Sequence, residues 1–361
     1  MNSLFVGLMN EATQLTRSGR LLDATHAIQR ALRGGSDAQP ASPVSSTRPT
    51  PEAGVIDVEA RVIEAGRPMP SPDAFGEPEQ WVKGTFSHQG RTIDYMLFVP
   101  ASAANQPLTP RPLVVMLHGC TQGAADFAAG TRMNDHARES GVIVLYPEQA
   151  QRVHGQKCWN WFKTQHQQRD RGEPALLAAL TQHVAAQQHA DRARVYVAGL
   201  SAGGAMADVL GHCYPDIFAA IGVHSGLPHG AAHDMLSALH AMRTGVPEAP
   251  SGAAATPQPI IVFHGDADTT VHVNNGMAIL AGATPGEVSE GQSPAGRRFT
   301  RTLYPASEGR GEAEHWRLHA AGHAWSGGSA QGSYTQPDGI DASREMLRFF
   351  LAHRLDETPR H

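Results

Sequence analysis

Apolar positions in this chain fall into short runs separated by longer polar or amphipathic stretches. Thr92 to Val99 (TIDYMLFV) predicts an early strand, and Leu113 to Leu117 (LVVML) is a continuous apolar run of the kind a parallel sheet buries on both faces. Val142 to Leu145, Arg194 to Ala198, Ala219 to Val223 and Ile260 to Phe263 repeat the type, and Trp316 to His319 adds a last strand. Between them, Met133 to Glu139, Glu173 to His189, Ala202 to Gly211 and Asp341 to His353 read as helices. Strand and helix in alternation imply an α/β fold with a mostly parallel central sheet covered by helices on both faces. Pro228 to Pro257 and Ala281 to Gly296 are rich in Ala, Gly, Ser and Pro and read as surface excursions near one end of that sheet.

Ahead of this body the pattern changes twice. Glu11 to Arg33 places Leu15, Leu22, Ala27, Ile28 and Leu32 at roughly helical spacing, with arginines between, so residues 1–33 read as an amphipathic helix. Residues 34–77 shift to Pro, Ser, Ala and Thr (QPASPVSSTRPTPEAG), a composition that cannot bury enough apolar area to order itself, and read as a linker. One catalytic-sized domain then covers 78–355, with a short tail at 356–361. The helix is a candidate contact to the body or to a protein partner.

Composition narrows the function classes. The 361 residues carry a net charge of −5, which supplies no basic stripe for nucleic acid. No stretch of about 18 apolar residues suggests a membrane span. The N-terminal MNSLFVGLMN lacks the basic n-region of a signal peptide, so the expectation is a cytoplasmic protein. Three cysteines, Cys120, Cys158 and Cys213, are too few for a disulfide scaffold or a four-cysteine zinc site. The patterns G-x-G-x-x-G opening the first parallel unit, G-K-[ST] and H-E-x-x-H are missing, so no cofactor or metal is expected.

The chemistry begins at RVYVAGLSAGG (194–204), an apolar strand running into Gly199-Leu200-Ser201-Ala202-Gly203 and then a helix. This is G-x-S-x-G in the strand–turn–helix setting that exposes a nucleophilic serine. Small residues two positions before and after let strand and helix approach, and Ser201 projects near the positive end of the helix. The first central strand ends in Leu117-His118-Gly119-Cys120. In α/β hydrolases an H-G at this point supplies a backbone N–H for the oxyanion, which assigns the donors to Cys120 and Ala202. A base and an orienting acid should follow in the order acid, then histidine. Ile260 to Phe263 runs into His264-Gly265-Asp266-Ala267-Asp268. Asp268 is favoured as the acid, and Asp266 is the runner-up, with capping of the turn as its other role. Of 20 histidines, His323 stands out in the loop AGHAWSGG (321–328), while His315 and His319 suit one face of a strand.

Together LHGCTQ (117–122), CWNWF (158–162), GLSAGGAM (199–206), HGDADTTV (264–271) and GHAWSGG (322–328) resemble the PHB depolymerase family of esterases, whose relatives include polyhydroxyalkanoate depolymerases and feruloyl or acetylxylan esterases. The resemblance covers about residues 80 to 355. It implies an α/β-hydrolase fold, a triad of Ser201, Asp268 and His323, and Cys120 with Ala202 as oxyanion donors. It also gives His118, Trp159, Trp161 and Trp325 a candidate role in contacting substrate, the rings forming a wall for an acyl chain or aromatic ester. It leaves open a Cys120–Cys158 bridge, which would pin the CWNWF loop to the oxyanion strand and leave Cys213 free. Such a bridge conflicts with a reducing cytoplasm and favours the extracellular placement of many family members. The leading expectation is a serine carboxylic ester hydrolase acting on short-chain poly- or oligo-3-hydroxybutyrate esters, a small-molecule or polymeric substrate, and for intracellular polymer the resemblance makes the N-terminal helix a candidate granule or partner anchor. The alternatives are a feruloyl or acetylxylan esterase and, from another class, a non-catalytic binding module on the same fold.

Overall fold

The structure, a computed structural model, describes residues 77–102, 109–246 and 258–356. The expected N-terminal helix, all but the last residue of the linker and nearly all of the tail lie outside the described residues. The described part is built on a ten-stranded sheet. In chain order its strands are β1 (Gln80–His88), β2 (Arg91–Val99), β3 (Leu113–Leu117), β4 (Ile143–Glu148), β5 (Val195–Leu200), β6 (Ala220–His224), β7 (Ile260–Gly265), β8 (Val288–Gln292), β9 (Arg298–Tyr304) and β10 (Ala313–Leu318). They lie in the order β1-β2-β4-β3-β5-β6-β7-β10-β9-β8. The inner strands β4, β3, β5, β6, β7 and β10 are parallel, and the antiparallel β1–β2 hairpin and β9–β8 pair close the two sides.

The all-apolar sequences of the inner strands follow from their two-sided burial. Leu113, Val115 and Leu117 of β3 join one core cluster with Val195 and Val197 of β5 and Val262 of β7. Val114 and Met116 point the other way, into a second cluster with Tyr196, Ala198 and Phe263. The first face is covered by α3 (Gly172–Gln187) and α4 (Ala202–Cys213), the second by α1 (Ala124–Thr131), α2 (Met133–Ser140) and α7 (Ala342–Leu351). Each buried Val, Leu or Phe contributes roughly 1.5–3 kcal/mol, so this double layer is what fixes the sheet.

Two expectations need correction. The 281–296 segment is not only a surface excursion, because it contains the edge strand β8. The 228–257 segment contains the helix α5 (Met235–Thr244), and a short helix α6 (Asn274–Ile279) follows β7. An edge strand buries little: β8 reads VSEGQ and is largely exposed, so no apolar alternation announces it. Strand β1 escaped for the same reason, and the Ala/Gly-rich α1 (AADFAAGT) has too few large apolar residues to show a helical stripe.

Candidate active site

Strand β5 delivers the chain to Ser201 in the middle of the sheet, and α4 begins at the next residue. Ser201 has φ 57° and ψ −118°, a backbone conformation that costs a non-glycine residue about 1–3 kcal/mol and persists only where the surroundings impose it. Here they do. A Cβ on Gly203 would collide with the carbonyl oxygens of Leu117 and His118, and one on Gly199 would meet the Gly203 backbone. The Ser201 N–H donates to the His224 carbonyl at 2.9 Å, tying the turn to the end of β6. Glycine on both sides of the serine is therefore a packing requirement of the β3–β5–α4 contact.

The acid and the imidazole come from the ends of β7 and β10, on the same carboxyl edge as the end of β5. Asp268 has a fully buried side chain. Its Oδ1 accepts the N–H groups of Thr270 (2.9 Å) and Val271 (2.8 Å), and its Oδ2 lies 2.7 Å from His323 Nδ1. Burial works to raise the Asp268 pKa, but the His323 hydrogen bond and charge, with the two backbone donors, outweigh it and hold the carboxyl below its ordinary value. An ionised Asp268 only accepts hydrogen bonds, so the proton sits on His323 Nδ1 and the Nε2 lone pair is left for proton transfer.

Asp266, the competing acid, does not join this pair. Its Oδ2 lies 2.8 Å from His319 Nδ1, and its Oδ1 accepts the Ala320 N–H at 2.7 Å. His315 is buried on β10.

Two further histidines shape the site and carried no signal among the 20 in the sequence. His224 closes β6 and is fully buried, its ring stacked on Phe263 and Trp325, and burial pushes its pKa down to about 3. Its carbonyl holds Ser201, while its Nε2 accepts the Ser326 N–H at 3.1 Å, three residues beyond His323. One residue thus links the Ser201 turn to the loop that carries His323. His264 is also buried and held below its ordinary pKa, chiefly by desolvation. It donates Nε2–H to the Val271 carbonyl at 2.8 Å and lies 3.7 Å from Asp268 Oδ2.

On the other side of Ser201, Cys120 and Cys158 form a disulfide with a Cα–Cα distance of 4.3 Å, and Cys213 is the free cysteine. The bridge joins the turn after β3 to the CWNWF loop. Within that turn the Gly119 N–H donates to Gln122 Oε1 (2.9 Å) and the Thr121 N–H to the Gln156 carbonyl (2.6 Å). The Cys120 N–H between them has no hydrogen-bond acceptor among the described residues. The Ala202 N–H, first of α4, lacks an intrahelical partner by geometry.

The residues expected to contact substrate are placed differently. His118, Trp159 and Trp325 are at most 1% exposed and Trp161 is 5% exposed. Trp159 Nε1 donates to the His118 carbonyl (3.0 Å) and Trp325 Nε1 to Ser343 Oγ (3.1 Å). His118 Nδ1 lies 2.7 Å from the Gly119 carbonyl and its Nε2 accepts the Gln149 N–H, while burial pushes its pKa to about 4. These polar atoms are spent inside the protein, because an indole or imidazole in the core must find a partner there. The Trp159 and Trp325 rings are packed into the core, with their indole N–H groups bonded inside the protein. Beneath that loop the buried Glu173 receives Gln149 Nε2 (2.6 Å), Asn160 Nδ2 (2.6 Å) and Asn160 N–H (2.7 Å), fixing the segment after Cys158. A cavity of about 340 Å³ beside it is lined by Arg91, Ile93, Gln149, Arg152, Trp159 and Glu173, and lies apart from Ser201. Among the described residues there is no cluster of His, Cys, Asp and Glu able to hold a metal ion, and no helix is long and apolar enough to cross a membrane.

Comparison with known proteins places this geometry. A poly(3-hydroxyalkanoate) depolymerase C of Paucimonas lemoignei is 36% identical over 174 residues, covering 44% of this chain and 41% of that protein. A feruloyl esterase B of Thermothelomyces thermophilus is 30% identical over 148 residues, 41% of this chain and 48% of that protein. The aligned region thus spans less than half the length of these relatives. An acetyl xylan esterase from Aspergillus awamori shares the α/β-hydrolase fold with a TM-score of 0.57, covering 74% of this chain and 98% of that one at 17% identity. Residues 93–283 match the family described as Esterase PHB depolymerase. With that match running over more than half of its length, from strand β2 past the Asp268 turn, this chain belongs to the esterase PHB depolymerase family.

Proposed function

We propose that the chain hydrolyses carboxylic esters through an acyl-enzyme on Ser201. Ser201 Oγ attacks the ester carbonyl carbon while His323 Nε2 takes its proton. Asp268 steadies the resulting imidazolium through the 2.7 Å bond to Nδ1. The N–H groups of Cys120 and Ala202 receive the oxyanion, a contribution worth about 10²–10³ in turnover per donor. The imidazolium returns the proton to the departing alkoxide. Water, deprotonated by His323, then releases the acid and restores the serine hydroxyl. The observation that carries this reading is the buried Asp268–His323 pair on the sheet edge that also holds Ser201 in its strained turn.

The depolymerase relative supports short-chain hydroxyalkanoate esters, poly- or oligo-3-hydroxybutyrate among them, as the substrate class. The feruloyl esterase relative, with a probable acetylxylan esterase A of Aspergillus fumigatus that is 28% identical over 213 residues, supports the second reading, a feruloyl or acetylxylan ester. The Cys120–Cys158 bridge supports an oxidising compartment over the cytoplasm. The test is Ser201→Ala on p-nitrophenyl butyrate, with fluorophosphonate labelling of the parent. Loss of turnover to background and of labelling, with unchanged thermal unfolding, is expected. Full residual activity sinks the assignment. Polyhydroxybutyrate, acetylated xylan and methyl ferulate assayed side by side then separate the substrate classes.

A further inference from the structure

Trp159 and Trp325 are packed into the core, and a tyrosine outside the recognised motifs lies exposed against the loop that carries Cys120. Tyr334 is 47% exposed, and among the described residues Trp81 is the other strongly exposed large aromatic, out on the edge strand β1. Tyr334 has φ 52°, the left-handed region that bulky residues avoid. Its backbone belongs to the base loop: the Tyr334 carbonyl accepts the Trp325 N–H at 2.7 Å, two residues after His323. Its hydroxyl reaches the oxyanion loop, 3.1 Å from Thr121 Oγ1. Thr121 Oγ1 already donates to the Cys120 carbonyl at 2.6 Å, so the tyrosine is the donor to Thr121. The preceding Ser333 is clamped to Asp126 through its N–H (3.0 Å) and Oγ (2.6 Å), and its carbonyl accepts Gln122 Nε2 at 3.0 Å. A hydrogen-bonded segment therefore joins the loop of the proposed base to the loop of the proposed oxyanion donor and carries a half-exposed aromatic ring.

We infer that Tyr334 is a specificity-determining residue, forming the apolar wall of the substrate subsite beside the oxyanion loop and favouring esters with a bulky or aromatic group there. The inference rests on the esterase reading above. A ring held at both ends contacts a flat or extended apolar group without losing rotamer freedom, and its hydroxyl tip stays hydrogen-bonded, which suits an exposed aromatic better than a core one.

The experiment crosses two acyl groups, acetyl and 3-phenylpropionyl, with two alcohols, methanol and p-nitrophenol, and measures kcat/KM for the four esters. Asparagine tolerates the left-handed backbone, so Tyr334→Asn removes the ring without adding strain. The expected result is that the ratio of kcat/KM between the bulky and small versions of one substituent falls about tenfold in Tyr334→Asn. In Tyr334→Phe, which keeps the ring and loses the Thr121 bond, it stays within about threefold of the parent. A uniform change across the four esters, or parental ratios in both variants, overturns the inference. A parent chain that neither turns over any of the four nor is labelled at Ser201 overturns the esterase reading itself, and the inference falls with it.

Discussion

Asp268–His323 and Asp266–His319 span the same two loops, after β7 and after β10, with Oδ2 to Nδ1 distances of 2.7 and 2.8 Å. The outer pair even continues into a hydroxyl, since His319 Nε2 lies 2.8 Å from Thr300 Oγ1 on β9. Thr300, His319 and Asp266 thus repeat the hydroxyl–imidazole–carboxylate order of a catalytic triad. The surroundings differ. Asp268 has a side chain with no exposed area, two backbone donors and the buried His264 for a neighbour, whereas Asp266 is 22% exposed and has Arg317 Nε at 3.5 Å. Thr300 sits in mid-strand with no helix start behind it, while Ser201 is held at positive φ at the head of α4. A chain of hydrogen bonds therefore does not by itself distinguish the two pairs. Burial of the carboxylate and the strained Ser201 turn on the same sheet edge set the inner pair apart, and the outer pair joins the same two loops through Asp266 and His319.

The sharpest way to break this comparison is to neutralise each aspartate in turn. Asp268→Asn is expected to lower kcat about 10³–10⁴-fold, because an amide no longer dictates the His323 tautomer or stabilises the imidazolium. Asp266→Asn should cost no more than about tenfold in kcat and about 1 kcal/mol or less in stability, as a partly exposed ion pair does. Equal losses on a short p-nitrophenyl ester would show that the outer pair shares in the chemistry. A separate effect is on pH dependence. His224 beside the inner pair is held at about 3 against an ordinary 6.5. Its depressed pKa leaves it neutral in the fold, so unfolding takes up a proton. Its contribution is intact above pH 6.5 and is lost as pH falls from there toward 3. The unfolding free energy from urea titrations between pH 7 and 4 should fall with a slope that His224→Gln reduces by up to about 1.4 kcal/mol per pH unit. An unchanged slope in His224→Gln would mean that the buried imidazole does not govern acid sensitivity.

Much of the architecture was legible in the chain. The inner strands are continuous apolar runs because both faces are buried, and Gly199 and Gly203 are required by the close approach of β3, β5 and α4. Both conditions act locally on residue type, so they leave a readable pattern. The edge strands β1 and β8 bury one face at most and leave none.

What a side chain does at the site was decided by the fold. A tryptophan beside a catalytic motif reads as a substrate wall or as core packing with equal ease, and only the bonds to the His118 carbonyl and Ser343 send Trp159 and Trp325 inward. Asp266 and Asp268 are two residues apart, and the register of β10 against β7 sends one to His319 and the other to His323. Tyr334 lies 213 positions from the threonine its hydroxyl meets. Hydrophobic periodicity and local sterics fix the inner strands and the serine turn, so the order of residues alone shows them. Tertiary structure alone decided which acid meets which base and which aromatic ring faces solvent, because those depend on distances between segments far apart in the chain.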